Sequence, residues 1–99
     1  MEYLGELQNA IYQLHGAKAV HAGTVPVKEV FRGQTAWEGE VEVFDITDHA
    51  KAKRCYAWGY PKDSGNGWEI TTVLEIPPVI SPQTAVKAAI AARAQQARN

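Results

Sequence analysis

The sequence has little of what marks a secreted, membrane-spanning or nucleic-acid-binding protein. It contains one cysteine, Cys55, so no disulfide can form within the chain and a reducing compartment such as the cytoplasm is expected. No apolar run approaches the roughly 18 residues needed to cross a bilayer, and the first residues do not resemble a signal peptide. The formal net charge of −1 argues against general binding to nucleic acids or anionic membranes.

The composition is that of an ordinary globular protein. The chain has 99 residues, of which 45% are hydrophobic and 21% charged, which predicts a single domain over residues 1–99 with one modest core. The charge is uneven, since residues 1–50 hold eight acids and three bases (−5) and residues 51–99 hold seven bases and three acids (+4). This asymmetry favours self-association or a cationic partner, although a solvated charged face has the same pattern.

The clearest pattern lies in residues 37–46 and predicts a strand. Apolar Trp37, Gly39, Val41 and Val43 alternate with Glu38, Glu40 and Glu42. Strand side chains alternate between faces, so one face is expected to be buried and the other wet and acidic. Exposed glutamates on an open sheet stay ionised and equivalent, which favours a docking face for a basic partner or a solubility face over acid–base chemistry.

Three further segments predict strands around this one. Residues 19–32 have a weaker pattern in which Pro26 favours an edge strand, and Gly33-Gln34-Thr35 is a short turn into the acidic strand. This turn places Phe31 opposite Trp37, Val27 opposite Val41 and Lys28 opposite Glu40. Residues 53–60 and 68–76 complete an antiparallel meander, with a polar turn over residues 61–67 between them.

Apolar residues at helical spacing predict a helix before the sheet. Leu4, Leu7, Ile11 and Leu14 form a 3-4-3 stripe over residues 2–15, and Gly16 follows where a helix stop is expected. The same spacing also serves a helix seam between two subunits.

A second helix is predicted after Pro77-Pro78. Ser81 is a good N-cap and Pro82 a good first residue, and the helix runs to Arg98 with small apolar side chains. We therefore predict an α+β fold, in which a four-stranded antiparallel β-meander carries an N-terminal and a C-terminal helix packed on one face. That face bears Trp37, Val41 and Tyr56.

Aromatic residues form the most informative group of side chains. Tyr56, Trp58 and Tyr60 share a face of their strand, and we expect Trp37 and Trp68 on the same side. One interpretation is a sealed core under two helices. The other is a partly open pocket for a small organic ligand, cationic or aromatic, with Arg54 as a polar group. Its candidate ligand-binding residues are Trp37, Arg54, Tyr56, Trp58, Tyr60 and Trp68.

Two arrangements offer weak signals of catalysis. Asp45-x-x-Asp48-His49 has metal-ligand side chains, but the spacing matches no strong motif and these residues are also common in turns. Cys55 with His15, His21 or His49 resembles a nucleophile–base pair, although a thiol in mid-strand is typical of inert packing. With no triad, metal set or phosphate loop visible, we favour a non-enzymatic protein without a cofactor.

The chain resembles small uncharacterised bacterial proteins of mobile genes, including integron gene cassettes. Three segments carry the resemblance over about residues 25–90: Trp37-x-Gly39-x-Val41-x-Val43-Phe44, Cys55-Tyr56-Ala57-Trp58, and Pro77-Pro78-Val79-x-Ser81-Pro82-x-x-Ala85-Val86-x-Ala88-Ala89-Ile90. It implies a bacterial origin and a compact, oligomeric α+β unit, and it implies no activity.

The element order is also similar to that of the double-stranded-RNA-binding domain. The second helix of that family begins with a lysine-rich segment that grips phosphates, whereas here it begins Ser81-Pro82-Gln83-Thr84-Ala85. Phosphate binding depends on such cations, so nucleic acid is not the expected partner.

We therefore expect a binding or interaction module that acts as a homo-oligomer, a dimer or larger. The candidate partner-binding residues are Leu4, Leu7, Ile11, Glu38, Glu40 and Glu42. The alternative is a small-molecule-binding protein that uses the aromatic pocket.

Overall fold

One four-stranded sheet lies between two helices in the computed structural model, which describes residues 3–97 and the side chains of residues 3–95. The elements are α1 (Tyr3–His15), β1 (Lys18–Phe31), β2 (Gln34–Thr47), β3 (Arg54–Pro61), β4 (Trp68–Leu74) and α2 (Pro82–Ala97). The strands lie in the order β1-β2-β3-β4, and all neighbours are antiparallel. The predicted α+β order of helix, meander and helix is confirmed. The predicted start of the first helix at Glu2 and end of the second at Arg98 lie outside the described residues.

The two helices cover opposite faces of the sheet. Cys55 and Ala57 of β3 belong to the same core cluster as Leu7 of α1, whereas Trp58 of β3 packs with Val86 of α2. Neighbouring strand residues point to opposite faces, so α1 and α2 lie on different sides. The prediction that both helices cover one face is wrong for α1.

The chemistry of β2 explains the position of α1. On the face that carries the three glutamates, β2 continues after Glu42 with Phe44 and Ile46, and both of these are buried in the α1 cluster. Val41 and Val43 on the other face are buried against α2. Each face of the sheet therefore has an apolar area that requires a helix over it.

The β1–β2 hairpin is longer and differently registered than the sequence predicts. Its turn is Arg32-Gly33, with φ values of 54° and 76°, which is the left-handed pair that a two-residue hairpin turn requires. The observed partners are Gly39 for Val27, Glu38 for Lys28 and Gln34 for Phe31, so the predicted pairings with Val41, Glu40 and Trp37 are wrong. Irregularities between Glu29 and Val30 and between His21 and Gly23 shift the register.

Helix α1 ends, and helix α2 begins, where the sequence predicts. Gly16 has a φ of 68°, and its N–H donates to the carbonyl oxygen of Tyr12 at 2.8 Å, as expected of a residue that closes a helix. At the start of α2, the Thr84 N–H donates to the Ser81 hydroxyl oxygen at 3.2 Å. The Ser81 N–H donates in return to the Thr84 hydroxyl oxygen at 2.9 Å, so these two residues cap the helix reciprocally.

Replacing Trp58 with alanine is expected to destabilise the protein by about 3–5 kcal/mol, because it removes a large ring from the core under α2. Trp58 is only 5% exposed. Urea denaturation measures the change. Val20→Ala on β1 is the control, since Val20 is 68% exposed and its truncation should change stability by less than about 0.5 kcal/mol. Equal midpoints for Trp58→Ala and the unmodified protein would contradict a core role for the ring.

Candidate functional site

The two hairpins of the sheet separate at one end and leave a cleft. Backbone pairing between β2 and β3 covers only four residue pairs, from Glu42 with Ala57 to Asp45 with Arg54, whereas β3 stays paired with β4 as far as Pro61. The cleft has a volume of about 400 Å³ and is lined by two glycines, five aromatic residues and three glutamates. They are Gly39, Gly59, Tyr3, Trp37, Trp58, Tyr60, Trp68, Glu38, Glu40 and Glu42.

Tyr3 of α1 takes the place of the missing strand partner of Gly59. Arg54 forms a hydrogen-bonded pair with Glu75, whose N–H donates to the Arg54 carbonyl oxygen. Hydrogen-bonded and non-hydrogen-bonded pairs alternate along an antiparallel ladder, and Gly59 is an odd number of residues after Arg54. Gly59 therefore belongs to a non-hydrogen-bonded pair with β4, and its N–H points toward β2. It donates to the hydroxyl oxygen of Tyr3 at 2.8 Å. The first residue described in α1 therefore satisfies the backbone where the hairpins separate.

Two aromatic pairs belong to the cleft lining. The rings of Trp37 and Trp58 meet edge to face with centroids 5.5 Å apart, and those of Tyr3 and Trp68 are tilted with centroids 5.2 Å apart. Gly39 leaves room for the Trp37 ring, because a Cβ atom there would lie 3.1 Å from it. The rings thus pack against each other and against bare backbone, which fixes their orientation.

Glu42 differs from the other two glutamates of the cleft. Its side chain is 7% exposed, and its Oε1 lies 2.8 Å from Nε2 of His21 and accepts a hydrogen bond from the Thr24 hydroxyl at 2.5 Å. Glu38 and Glu40 are exposed. The prediction of one wet acidic face is therefore wrong for Glu42, because β1 supplies two side chains that hold its carboxylate in a buried position.

The cleft has a negative electrostatic environment. Burial raises the pKa of Tyr3, and the negative charges of Glu42 and Glu40 raise the pKa further. Lys28 lies opposite Glu38 in the sheet, but Pro26 lies opposite Glu40. No lysine or arginine belongs to the lining of the cleft within the part of the chain whose side chains are described.

The structure brings together four of the six predicted ligand-binding residues: Trp37, Trp58, Tyr60 and Trp68. Trp68 comes from the face of α1, since it shares parity with Ile70 and Leu74, so the expectation that all the aromatic side chains share one face is wrong. Tyr3 also lines the cleft and was not among the residues predicted from the sequence. It lies one residue before the Leu4 stripe, and only its contact with Gly59 shows its role.

The other two predicted ligand-binding residues lie outside the cleft lining. Tyr56 is buried and its hydroxyl donates to the Glu75 carboxylate, and burial together with that bond raises its pKa to about 12. The Arg54 guanidinium is exposed and donates to Asp45 at 3.0 Å. Of the predicted aromatic residues, Tyr56 therefore lies in the sealed core, whereas the side chain of Tyr60 is exposed to solvent.

The predicted partner-binding residues of α1 are largely used by the chain itself. Leu7 and Ile11 are fully buried in the α1 cluster, and Leu4 packs against it. This leaves Leu14, which is 65% exposed, as the apolar residue of the stripe that faces solvent.

The candidate catalytic arrangements are not assembled. The Nδ1 atom of His49 accepts hydrogen bonds from the N–H groups of Lys51 and Ala52, which identifies His49 as a turn residue. Within residues 3–97 no three His, Cys, Asp or Glu side chains are grouped so that they could hold a metal ion. Cys55 is fully buried, and burial raises the pKa of its thiol to about 12.

The Glu42 carboxylate should stabilise the fold and the Glu40 carboxylate should not. Glu42→Ala is expected to lower the free energy of unfolding by about 1–3 kcal/mol, because it leaves the groups of His21 and Thr24 without their partner. Glu40→Ala, two residues away on the same face, is the matched control and should change it by less than about 0.5 kcal/mol. Urea midpoints at neutral pH measure both, and equal effects would contradict the distinction.

Cys55 is expected to resist thiol reagents in the native protein near pH 8, because a thiol with a pKa of about 12 remains protonated and buried. Ser64→Cys adds a second thiol in the exposed turn before β4 and should be modified rapidly under the same conditions. The thiol reagent should therefore modify one cysteine per chain in the native Ser64→Cys variant and two after denaturation. Fast native labelling of the unmodified protein would contradict the assignment.

None of the helices within the described residues is long and apolar enough to span a membrane. The sequence matches no family model, and neither curated proteins nor solved structures give a match.

Proposed function

We propose that the protein is a non-enzymatic binding module whose cleft takes a small organic cation. The observation that carries this proposal is the convergence of aromatic rings and carboxylates on one cavity of about 400 Å³. The volume suits a small ligand, since binding pockets begin at roughly 300 Å³.

The two kinds of side chain contribute different terms to the recognition of a cation. Aromatic faces attract a cation through their quadrupoles by about 0.5–2 kcal/mol each, most strongly for tryptophan. The exposed carboxylates of Glu38 and Glu40 add a longer-range attraction, which salt screens. A quaternary ammonium group satisfies both, because it presents positive charge on an apolar surface.

Neutral and anionic ligands fit this cleft less well. A neutral aromatic ligand gains contact with the rings but nothing from the carboxylates. A phosphate group meets repulsion from Glu38, Glu40 and Glu42, which supports the expectation that nucleic acid is not the partner.

Choline and its uncharged isostere 3,3-dimethyl-1-butanol test the proposal. Choline is expected to change the tryptophan fluorescence in a saturable way and to bind about tenfold more tightly than the alcohol, the ratio that corresponds to about 1.4 kcal/mol. The double variant Glu38→Gln/Glu40→Gln should weaken choline binding at least severalfold and leave the response to the alcohol unchanged.

Asp63→Asn is the matched control for the loss of charge. Asp63 lies in the exposed turn before β4 and is not among the residues that line the cleft, so its neutralisation should not alter choline binding. Equal affinities for choline and the alcohol, or no saturable response to choline, would refute a cation site.

We further propose that the module acts as a homo-oligomer. Both outer strands of the sheet, β1 and β4, have an open edge in the single chain, and unpaired edges invite pairing. Large apolar side chains are exposed near these edges, among them Leu14 and Val20. A location in the bacterial cytoplasm stays a prediction that rests on the lone Cys55 and on the resemblance described above.

Sedimentation equilibrium tests self-association directly. At tens of micromolar, the weight-average mass should exceed the 10.9 kDa of one chain and should rise toward twice that value or more with increasing concentration. A single species at the mass of one chain would refute the oligomer and leave the cation site untouched, because that site lies within one chain.

A further inference from the structure

The outer edge of β4 lies along a groove between the two helices. The groove has a volume of about 650 Å³. Leu14 at the end of α1 flanks it on one side of the strand, and Ala88, Ala92 and Arg93 of α2 flank it on the other. His15 fixes the end of α1 there, since its Nε2 lies 2.8 Å from the Thr72 hydroxyl oxygen. The groove is therefore built on a strand edge and not on side chains alone.

Backbone bonds at the two ends of the β3–β4 ladder show which groups of β4 face the groove. The Glu75 N–H donates to the carbonyl oxygen of Arg54, and the Lys62 N–H donates to that of Gly67. Bonded pairs alternate along an antiparallel ladder, so residues 69, 71 and 73 are bonded to β3. The N–H and C=O groups of residues 68, 70, 72 and 74 point outward, which is the row of groups that another strand can pair with.

The opposite edge of the sheet is less suited to a partner strand. β1 carries Pro26, which lacks an N–H, and its register shifts between His21 and Gly23 and again between Glu29 and Val30. β4 pairs with β3 without a shift over seven residue pairs and contains no proline. A regular partner strand therefore fits β4 better than β1.

The charges and size of the β4 edge suit a second copy of itself. Two β4 strands in antiparallel order place neutral Thr71 and Thr72 near the two-fold axis. The only charged residue of β4 is Glu69, and its carboxylate already accepts a bond from Arg93 of the same chain at 3.0 Å, so the pairing opposes no unmatched like charges.

The area of this surface is just sufficient for a reversible dimer. Seven residues at about 3.3 Å each make an edge of roughly 23 Å. With a helix layer on either side of the sheet, each about 10 Å thick, the two copies together bury on the order of 1,100 Å². This lies just below the roughly 1,200 Å² at which specific stable interfaces begin, so we expect the dimer to be weak and reversible.

We propose that two copies of the chain pair through β4 in antiparallel order and form one continuous eight-stranded sheet. A two-fold axis perpendicular to the sheet places each α1 beside its symmetry mate on one face and each α2 beside its mate on the other. Leu14 becomes buried at the junction. This inference rests on the homo-oligomer part of the proposed function and adds to it the surface and the geometry.

Sedimentation velocity of paired variants tests the surface. Thr72→Pro removes both the outward N–H and the side-chain hydroxyl, whereas Thr72→Val removes the hydroxyl and keeps the N–H. The proline variant should therefore raise the dimer Kd at least tenfold, and the valine variant should not. Leu14→Asp should also raise the dimer Kd at least tenfold, whereas Val20→Asp, at an equally exposed valine of the β1 edge, should leave it unchanged. Far-UV circular dichroism selects the variants that remain folded.

Each outcome decides the inference. If Thr72→Pro does not remain folded, Leu14→Asp against Val20→Asp carries the test. A dimer that is insensitive to both Thr72→Pro and Leu14→Asp, or one that only Val20→Asp disrupts, overturns the β4 interface while self-association stands. A single species at the mass of one chain overturns both the β4 interface and self-association. The partner of the β4 edge would then be a peptide of another protein.

Discussion

Four backbone pairs between β2 and β3 hold the two hairpins in one sheet. The segments on either side of this junction, Val41–Phe44 and Cys55–Trp58, are buried at every position, because α1 covers one face there and α2 covers the other. Each core cluster contains residues of both hairpins. The fold therefore depends on this short ladder more than on the longer ladders within the hairpins, which local turns already favour.

The candidate site follows from how short this ladder is. Each hairpin pairs its own two strands, so beyond Glu42 and Ala57 the two hairpins can separate, at the cost of leaving backbone groups of β2 and β3 without a strand partner in the gap. The hydroxyl of Tyr3 accepts a hydrogen bond from one of those groups, the Gly59 N–H, and three tryptophan rings line the cleft that remains. Glu42 lies where the stable junction meets the open cleft, which is why its carboxylate is buried and bonded while those of Glu38 and Glu40 face solvent.

Local patterns in the sequence predict the element order, the parity of β2 and the helix caps. They do not predict which face a helix covers, because alternation says only which residues share a face. Glu42 has the same parity as Glu40, and its burial depends on His21, which a register irregularity of β1 brings within reach. The cleft is likewise invisible in the sequence, since it arises where pairing between distant segments stops. The aromatic composition was informative, but its division between core, cleft and groove required the structure.

The cleft and the groove beside β4 share a wall of three aromatic rings: Trp37, Trp58 and Tyr60. A shared wall transmits an effect between two sites only if it has two arrangements of similar free energy. Trp58 is buried against α2 and packs edge to face on Trp37, so moving it disturbs the core, which is costly in a closely packed interior. The wall therefore separates the two surfaces. The proposed cation in the cleft and the proposed second chain on β4 would then act on opposite sides of one core, and neither would need the other to bind.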